Sequence, residues 1–170
     1  MAEADGGLSW ILEDLALGGA LPAGAAAELA QGGIGAVVDL TLDDRGAAEE
    51  CAACGVEFLH LPTEDLCAVQ QDMLDRGVAF ARRAADEQRK LLVHCEHGIG
   101  RAPLVALCIL ADRGRSPLAA LALAKAARER VSPSPAQYEA WTTWLRRRGG
   151  AAPDFAAFAA IAYRHLPRPA

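Results

Sequence analysis

A thiol, two glycines and a guanidinium stand within eight residues between two apolar runs, and no other stretch constrains the fold as tightly. The stretch reads His94-Cys95-Glu96-His97-Gly98-Ile99-Gly100-Arg101. Leu91-Leu92-Val93 precedes it, and a longer apolar run over residues 103–111 follows. The short run predicts a buried strand ending at Cys95, and the long one a helix starting near Arg101. Between them the chain must turn tightly, with sulfur at one end of the turn and five nitrogen-borne protons at the other.

Such a loop can cradle a tetrahedral oxyanion for four reasons. The backbone N–H groups of Glu96, His97, Gly98, Ile99, Gly100 and Arg101 can converge as an anion nest. Gly98 and Gly100 permit the backbone angles that a nest needs. The helix starting at Arg101 aims the positive end of its dipole at the same point, and the Arg101 guanidinium can grip two oxygens at once. The same field favours a Cys95 thiolate. Glu96 and His97 then serve through their amides, with their side chains turned outward.

The rest of the chain predicts alternating strands and helices, then helices alone. Short extended segments cover residues 10–12 and 15–17, before a Gly18-Gly19 turn. A helix is expected over 22–31, a buried strand over 34–40, a weak helix over 44–54 and a strand over 56–61. Met73, Leu74, Val78, Phe80 and Ala81 lie at helical spacing in 69–89. Ser116-Pro117 and Ser134-Pro135 each place an N-cap serine before a proline, predicting helices to about 131 and 148, and Pro153 opens a last one to about 165. The pattern implies an α/β fold with a small, mostly parallel central sheet flanked by helices on both faces. It reads as a single domain over 1–170, with short flexible ends at about 1–7 and 166–170.

Composition narrows the class. Net charge is −5 and the isoelectric point is about 5.3, which argues against a nucleic-acid partner held by phosphate neutralisation. Met1-Ala2-Glu3-Ala4-Asp5 is not a secretory leader, residues 102–111 are too short an apolar run to span a bilayer, and Leu166-Pro167-Arg168-Pro169-Ala170 carries no prenylation box. The expectation is a cytoplasmic protein with no membrane partner and an oligomeric state that cannot be read. Five irregularly spaced cysteines do not make a disulfide framework, and Cys51-Ala52-Ala53-Cys54 lacks the second pair of a zinc site. Neither a metal nor a cofactor is expected.

His94-Cys95, five residues and Arg101 match the signature of the protein-tyrosine-phosphatase superfamily, and the chain resembles its small dual-specificity members in size and element order, from about residue 15 to 144. The resemblance implies the cysteine-phosphatase fold and metal-independent hydrolysis of phosphomonoesters through a cysteinyl-phosphate. Cys95 is then the nucleophile and Arg101 the oxyanion clamp. The family also places an aspartic general acid about thirty residues upstream of the cysteine. Asp65 lies thirty residues before Cys95, just past a strand, in Leu61-Pro62-Thr63-Glu64-Asp65. By itself an Asp there reads as a turn former; the resemblance makes it the acid, with Glu64 next and Asp72 last. His94 would orient the loop and tune Cys95, or be a buried histidine with a backbone partner. Gln137 would position water at the rim, or be a solvated helix residue.

One departure bears on rate. Most members carry Ser or Thr after the arginine, where the hydroxyl helps expel the thiolate; this chain has Ala102 followed by Pro103. The Gly100-Arg101-Ala102-Pro103 run resembles the phosphatase-of-regenerating-liver branch and implies a slow second step. That branch's regulatory cysteine falls where this chain reads Asp39-Leu40-Thr41-Leu42, without a thiol; Cys67 is a possible substitute partner for Cys95. The expected substrates are phosphotyrosine, phosphoserine or phosphothreonine proteins, or a small phosphomonoester. Two alternatives stay open: a phosphate-binding module with poor turnover, and a phosphatase for a non-protein substrate such as an inositol phosphate or nucleotide.

Overall fold

The computed structural model describes residues 7–167. The expected flexible ends therefore fall largely on residues 1–6 and 168–170, outside the described part. A hairpin of β1 (Ser9–Leu12) and β2 (Leu15–Gly18) opens the chain. Then come α1 (Ala25–Gln31), β3 (Ile34–Asp39), α2 (Ala47–Ala53), β4 (Glu57–His60), α3 (Gln71–Asp86) and β5 (Lys90–His94). Four helices follow: α4 (Arg101–Asp112), α5 (Pro117–Ala127), α6 (Pro135–Arg147) and α7 (Phe155–Ala162). The sheet order is β1-β2-β5-β3-β4, parallel throughout except for β1 against β2. This is the α/β architecture that the alternation implied.

Side-chain alternation assigns the two faces. Leu15, Leu17, Ala36, Val38, Leu91 and Val93 point into the larger core beneath α3 to α7. Ala16, Val37 and Leu92, one residue out of step, join the smaller core beneath α1 and α2 with Ala26, Leu29 and Cys51. Strands buried on both faces explain why these runs read as continuously apolar. The alternation also settles a detail of the site. Cys95 continues the odd register of Leu91 and Val93 and belongs to the larger core, whereas His94 faces the α1–α2 side.

α4 is the axis of the larger core, buried from Arg101 through Leu110. Each of its Leu, Ile and Val side chains contributes about 1.5–3 kcal/mol by leaving water. Because β2, β5, β3 and β4 run the same way, the loops that follow them share one edge of the sheet, where ligands bind in open α/β folds. Among the described residues no helix is long and apolar enough to cross a membrane.

Several helices are shorter than expected: α1 starts at Ala25 rather than 22, α2 spans Ala47–Ala53 rather than 44–54, and α7 ends at Ala162 rather than about 165. α5 stops at Ala127, short of 131, and Arg128 is extended. Pro133 disfavours helix at Ser132, and the Val131 carbonyl is taken by Lys125 Nζ at 2.8 Å. α3 spans Gln71–Asp86 rather than 69–89: Gln70 is extended before it, and Gln88, at φ +57°, turns the chain into β5.

Candidate active site

The loop from Cys95 to Gly100 is stitched to both neighbouring strands. Cys95 N–H donates to Gly18 O at 3.4 Å, Leu40 N–H to His94 O at 3.0 Å, and Ala20 N–H to Glu96 O at 2.8 Å. Inside the loop, Gly98 N–H donates to Cys95 Sγ at 3.2 Å. A backbone amide thus already faces the sulfur, as an anion nest requires. Gly98 has φ +65°, and a Cβ there would lie 2.7 Å from the Gly18 carbonyl oxygen; both demand glycine. Gly100 is needed for space instead, since a Cβ would run into the Gln137 amide. The Glu96 side chain turns away and pairs with Arg45 at 3.1 Å, and His97 is exposed. Both side chains thus turn outward.

Arg101 opens α4 and is only 4% exposed. Its Nη1 donates to Thr63 O at 2.8 Å and approaches Leu40 O at 3.5 Å. Its Nη2 lies 3.4 Å from Asp65 Oδ1. Its Nε is a buried donor with no partner, which carries a real desolvation cost unless an acceptor arrives. Asp65 is half exposed and its Oδ1 also accepts the Leu66 N–H at 3.0 Å. Of the three carboxylates considered for this place, Asp65 alone meets Arg101. Glu64 lies by Cys67, with Oε2 3.9 Å from the thiol, and Asp72 sits in the first turn of α3.

His94 is buried, and Asp39 Oδ1 stands 3.6 Å from its Nε2. Burial pushes the imidazole below its usual pKa, and the Asp39 carboxylate partly offsets this. The Cys95 and Gly19 backbones lie close to the ring and also favour its charged form, without reaching strict hydrogen-bond geometry. Asp39 itself accepts the Thr41 N–H and hydroxyl, each at 2.7 Å. A cleft of about 200 Å³ opens on this side of the sheet, lined by His94, Asp39, Thr41, Arg45, Glu50 and Cys51. Neither Cys95 nor Arg101 lines it.

Gln137 is not the solvated helix residue that its position allowed. It is fully buried; its Oε1 accepts the Ser134 N–H at 2.8 Å and its Nε2 donates to Cys67 O at 3.2 Å. It completes the capping box of α6 while its amide packs on Gly100. Both amide ends are thus engaged, one by a cap and one by the Asp65 loop.

Sequence reasoning read Ser134 as an N-cap alone. Its Oγ also donates to Leu66 O at 2.7 Å. Arg128, read only as helix, donates through Nη2 to His97 O at 3.0 Å, and Ser132 N–H donates to Ile99 O at 2.9 Å. These contacts cross between distant segments, and nothing in local sequence marks them. Ala102 is buried in the first turn of α4, directly behind Arg101. All five cysteines are free thiols. Cys51 and Cys108 are buried, and Cys54 and Cys67 exposed.

The Cys95 thiol, the buried Arg101 guanidinium and the Asp65 carboxylate thus stand at the carboxyl edge of the parallel sheet, where ligands bind in open α/β folds. The chain belongs to the family described as polymorphic toxin system, DSP-PTPase phosphatase, whose model matches residues 21–115. Among solved structures it is similar to the active form of Tk-PTP at 28% identity and a TM-score of 0.74, covering 82% of this chain and 97% of that one. A point variant of human DUSP28 is 26% identical with a TM-score of 0.74, over 84% and 96% of the two chains. PTPMT1 in complex with PI(5)P, 20% identical with a TM-score of 0.75 over 82% and 95%, shares the fold. No curated protein sequence matches the chain. Family and fold together support cysteine-based phosphoester hydrolysis.

Proposed function

We propose that this chain is a single-domain, metal-independent protein phosphatase that works through a phosphocysteine intermediate. One observation carries the reading: the unpartnered Nε donor of buried Arg101 closes a loop whose opening sulfur already accepts the Gly98 N–H. The Cys95 thiolate attacks phosphorus in line, forming the S–P bond as the ester O–P bond breaks. Arg101 and the amides of residues 96–101 stabilise the equatorial oxygens. Protonated Asp65 donates to the leaving oxygen, then as carboxylate takes a proton from the water that hydrolyses the phosphocysteine. His94 supports the loop from behind.

Phosphorylated tyrosine, serine or threonine in a protein is the substrate class we favour. The loop between Cys95 and Arg101 carries no lysine or arginine to meet a polyanionic headgroup. The family description links such domains to polymorphic toxin systems, and we place the chain in one. Five free thiols fit a reducing cytoplasm. A second reading, phosphate binding with little turnover, rests on Ala102, which puts no hydroxyl in the first turn of α4.

The test is hydrolysis of phosphotyrosine, phosphoserine, inositol phosphate and nucleotide substrates in EDTA. Activity is expected on the phosphopeptides, abolished in Cys95→Ser and lowered about 10²–10⁴-fold in Asp65→Asn. Activity retained in Cys95→Ser sinks the mechanism; phosphate-dependent binding without turnover selects the second reading.

A further inference from the structure

The β4–α3 loop carries Asp65 and is held from two sides. On one side Arg101 Nη1 donates to Thr63 O. On the other, Ser134 Oγ donates to Leu66 O at 2.7 Å and Gln137 Nε2 to Cys67 O at 3.2 Å. The two carbonyls held from α6 are those immediately after Asp65.

Leu66 needs that hold. Its φ is +62°, in the left-handed region that a leucine resists, and it is 69% exposed, so no burial offsets the cost. The bonds at its two peptide groups supply the constraint. Asp65 Oδ1 accepts its N–H, and the Ser134 hydroxyl donates a hydrogen bond to its carbonyl.

Ser134 is itself fixed. Its N–H donates to Gln137 Oε1, and its Oγ accepts the Gln137 N–H at 3.3 Å. Gln137 packs on Gly100, and two residues before Ser134 the Ser132 N–H donates to Ile99 O. Residues 132–137 therefore touch the cysteine loop and the Asp65 loop together. The Ser134 hydroxyl is the shortest of the bonds reaching the latter.

We propose that Ser134 is a positioning residue: its hydroxyl fixes the backbone after Asp65 so that the carboxyl stands over the cup. The proposal rests on the reading of Asp65 as proton donor. A misplaced donor harms substrates in proportion to how badly their leaving oxygen needs a proton. The readout is therefore kcat/KM, which covers the chemistry up to the first irreversible step, for two aryl phosphates. 4-Nitrophenyl phosphate has a good leaving group and phenyl phosphate a poor one.

Ser134→Gly is the first variant, because glycine is tolerated at an N-cap while removing the hydroxyl. Ser134→Ala is the second, and Ser134→Thr restores the donor. We expect Ser134→Gly and Ser134→Ala to lose about tenfold on phenyl phosphate and under about threefold on 4-nitrophenyl phosphate, with Ser134→Thr near the parent. Asp65→Asn, measured alongside, should show the same selectivity more strongly. If Asp65→Asn is selective but Ser134→Gly falls equally on both substrates or not at all, the positioning role is overturned and the proposed function stands. If Asp65→Asn is itself unselective, the acid assignment fails and takes this inference with it.

Discussion

At the scale of single residues, Arg101 serves two elements at once. Its Nη atoms hold the loop carrying Asp65, while its Nε stays without a partner in the buried interior. Lysine could not do both, having one nitrogen and no planar fork. Its neighbour Ala102 sets the expectation for rate. A hydroxyl in the first turn of α4 could donate to the departing sulfur, and a hydrogen bond to a charged atom is worth about 1.5–3 kcal/mol, or about tenfold or more in rate. Ala102→Ser should therefore raise steady-state turnover of 4-nitrophenyl phosphate about tenfold while shrinking the pre-steady-state burst. A parent chain without a burst would mean that breakdown of the intermediate is not the slow step. The cysteine loop could be picked out in the sequence because its thiol, six amides and guanidinium belong to consecutive residues and need no distant partner to be recognised. Asp39 could not: its approach to His94 comes from strand pairing, which puts residues 39 and 94 side by side in β3 and β5.

At the scale of elements, the start of α4 could be read to the residue because the apolar run and the loop meet at Arg101. The end of α5 could not, because a long-range contact sets it. Lys125, fully buried, donates from Nζ to Val131 O, to Ala162 O at 2.7 Å, and lies 2.6 Å from His165 Nδ1. Nothing near position 125 in the sequence announces three acceptors from two other segments. The lysine ties α7 to the turn before α6, and Tyr163 Oη adds a bond to Pro133 O at 2.7 Å. Lys125→Met keeps the stem's packing but strands two carbonyls. It should lower stability by about 2–4 kcal/mol, read as a shifted urea midpoint with an unchanged slope. A midpoint within error of the parent would show that water replaces the ammonium at no cost.

For the whole molecule, buried titratable groups set the alkaline limit of stability. Burial raises the Cys51 thiol from about 9 to about 11, and pushes Cys108 up as well. As pH rises through 9, the unfolded chain loses these protons first, so the folded state weakens between pH 9 and 11. Lys125 acts oppositely: burial lowers it from 10.5 to about 8, so the unfolded chain binds the extra proton between those values and stability rises with pH there. Cys51→Ala removes one of the two weakening terms. Its loss of stability from pH 9 to 11 should be smaller than the parent's by about 2 kcal/mol, measured by denaturant titration at both pH values. Equal losses would place the thiol in contact with water in the folded chain.

The bond from Lys125 to the end of α7 has a practical corollary. Helix, lysine, turn and cysteine loop form one chain of contacts running from residue 162 to residue 99. Removing the Lys125 ammonium would therefore loosen the turn that supports the Ile99 carbonyl as well as the end of α7.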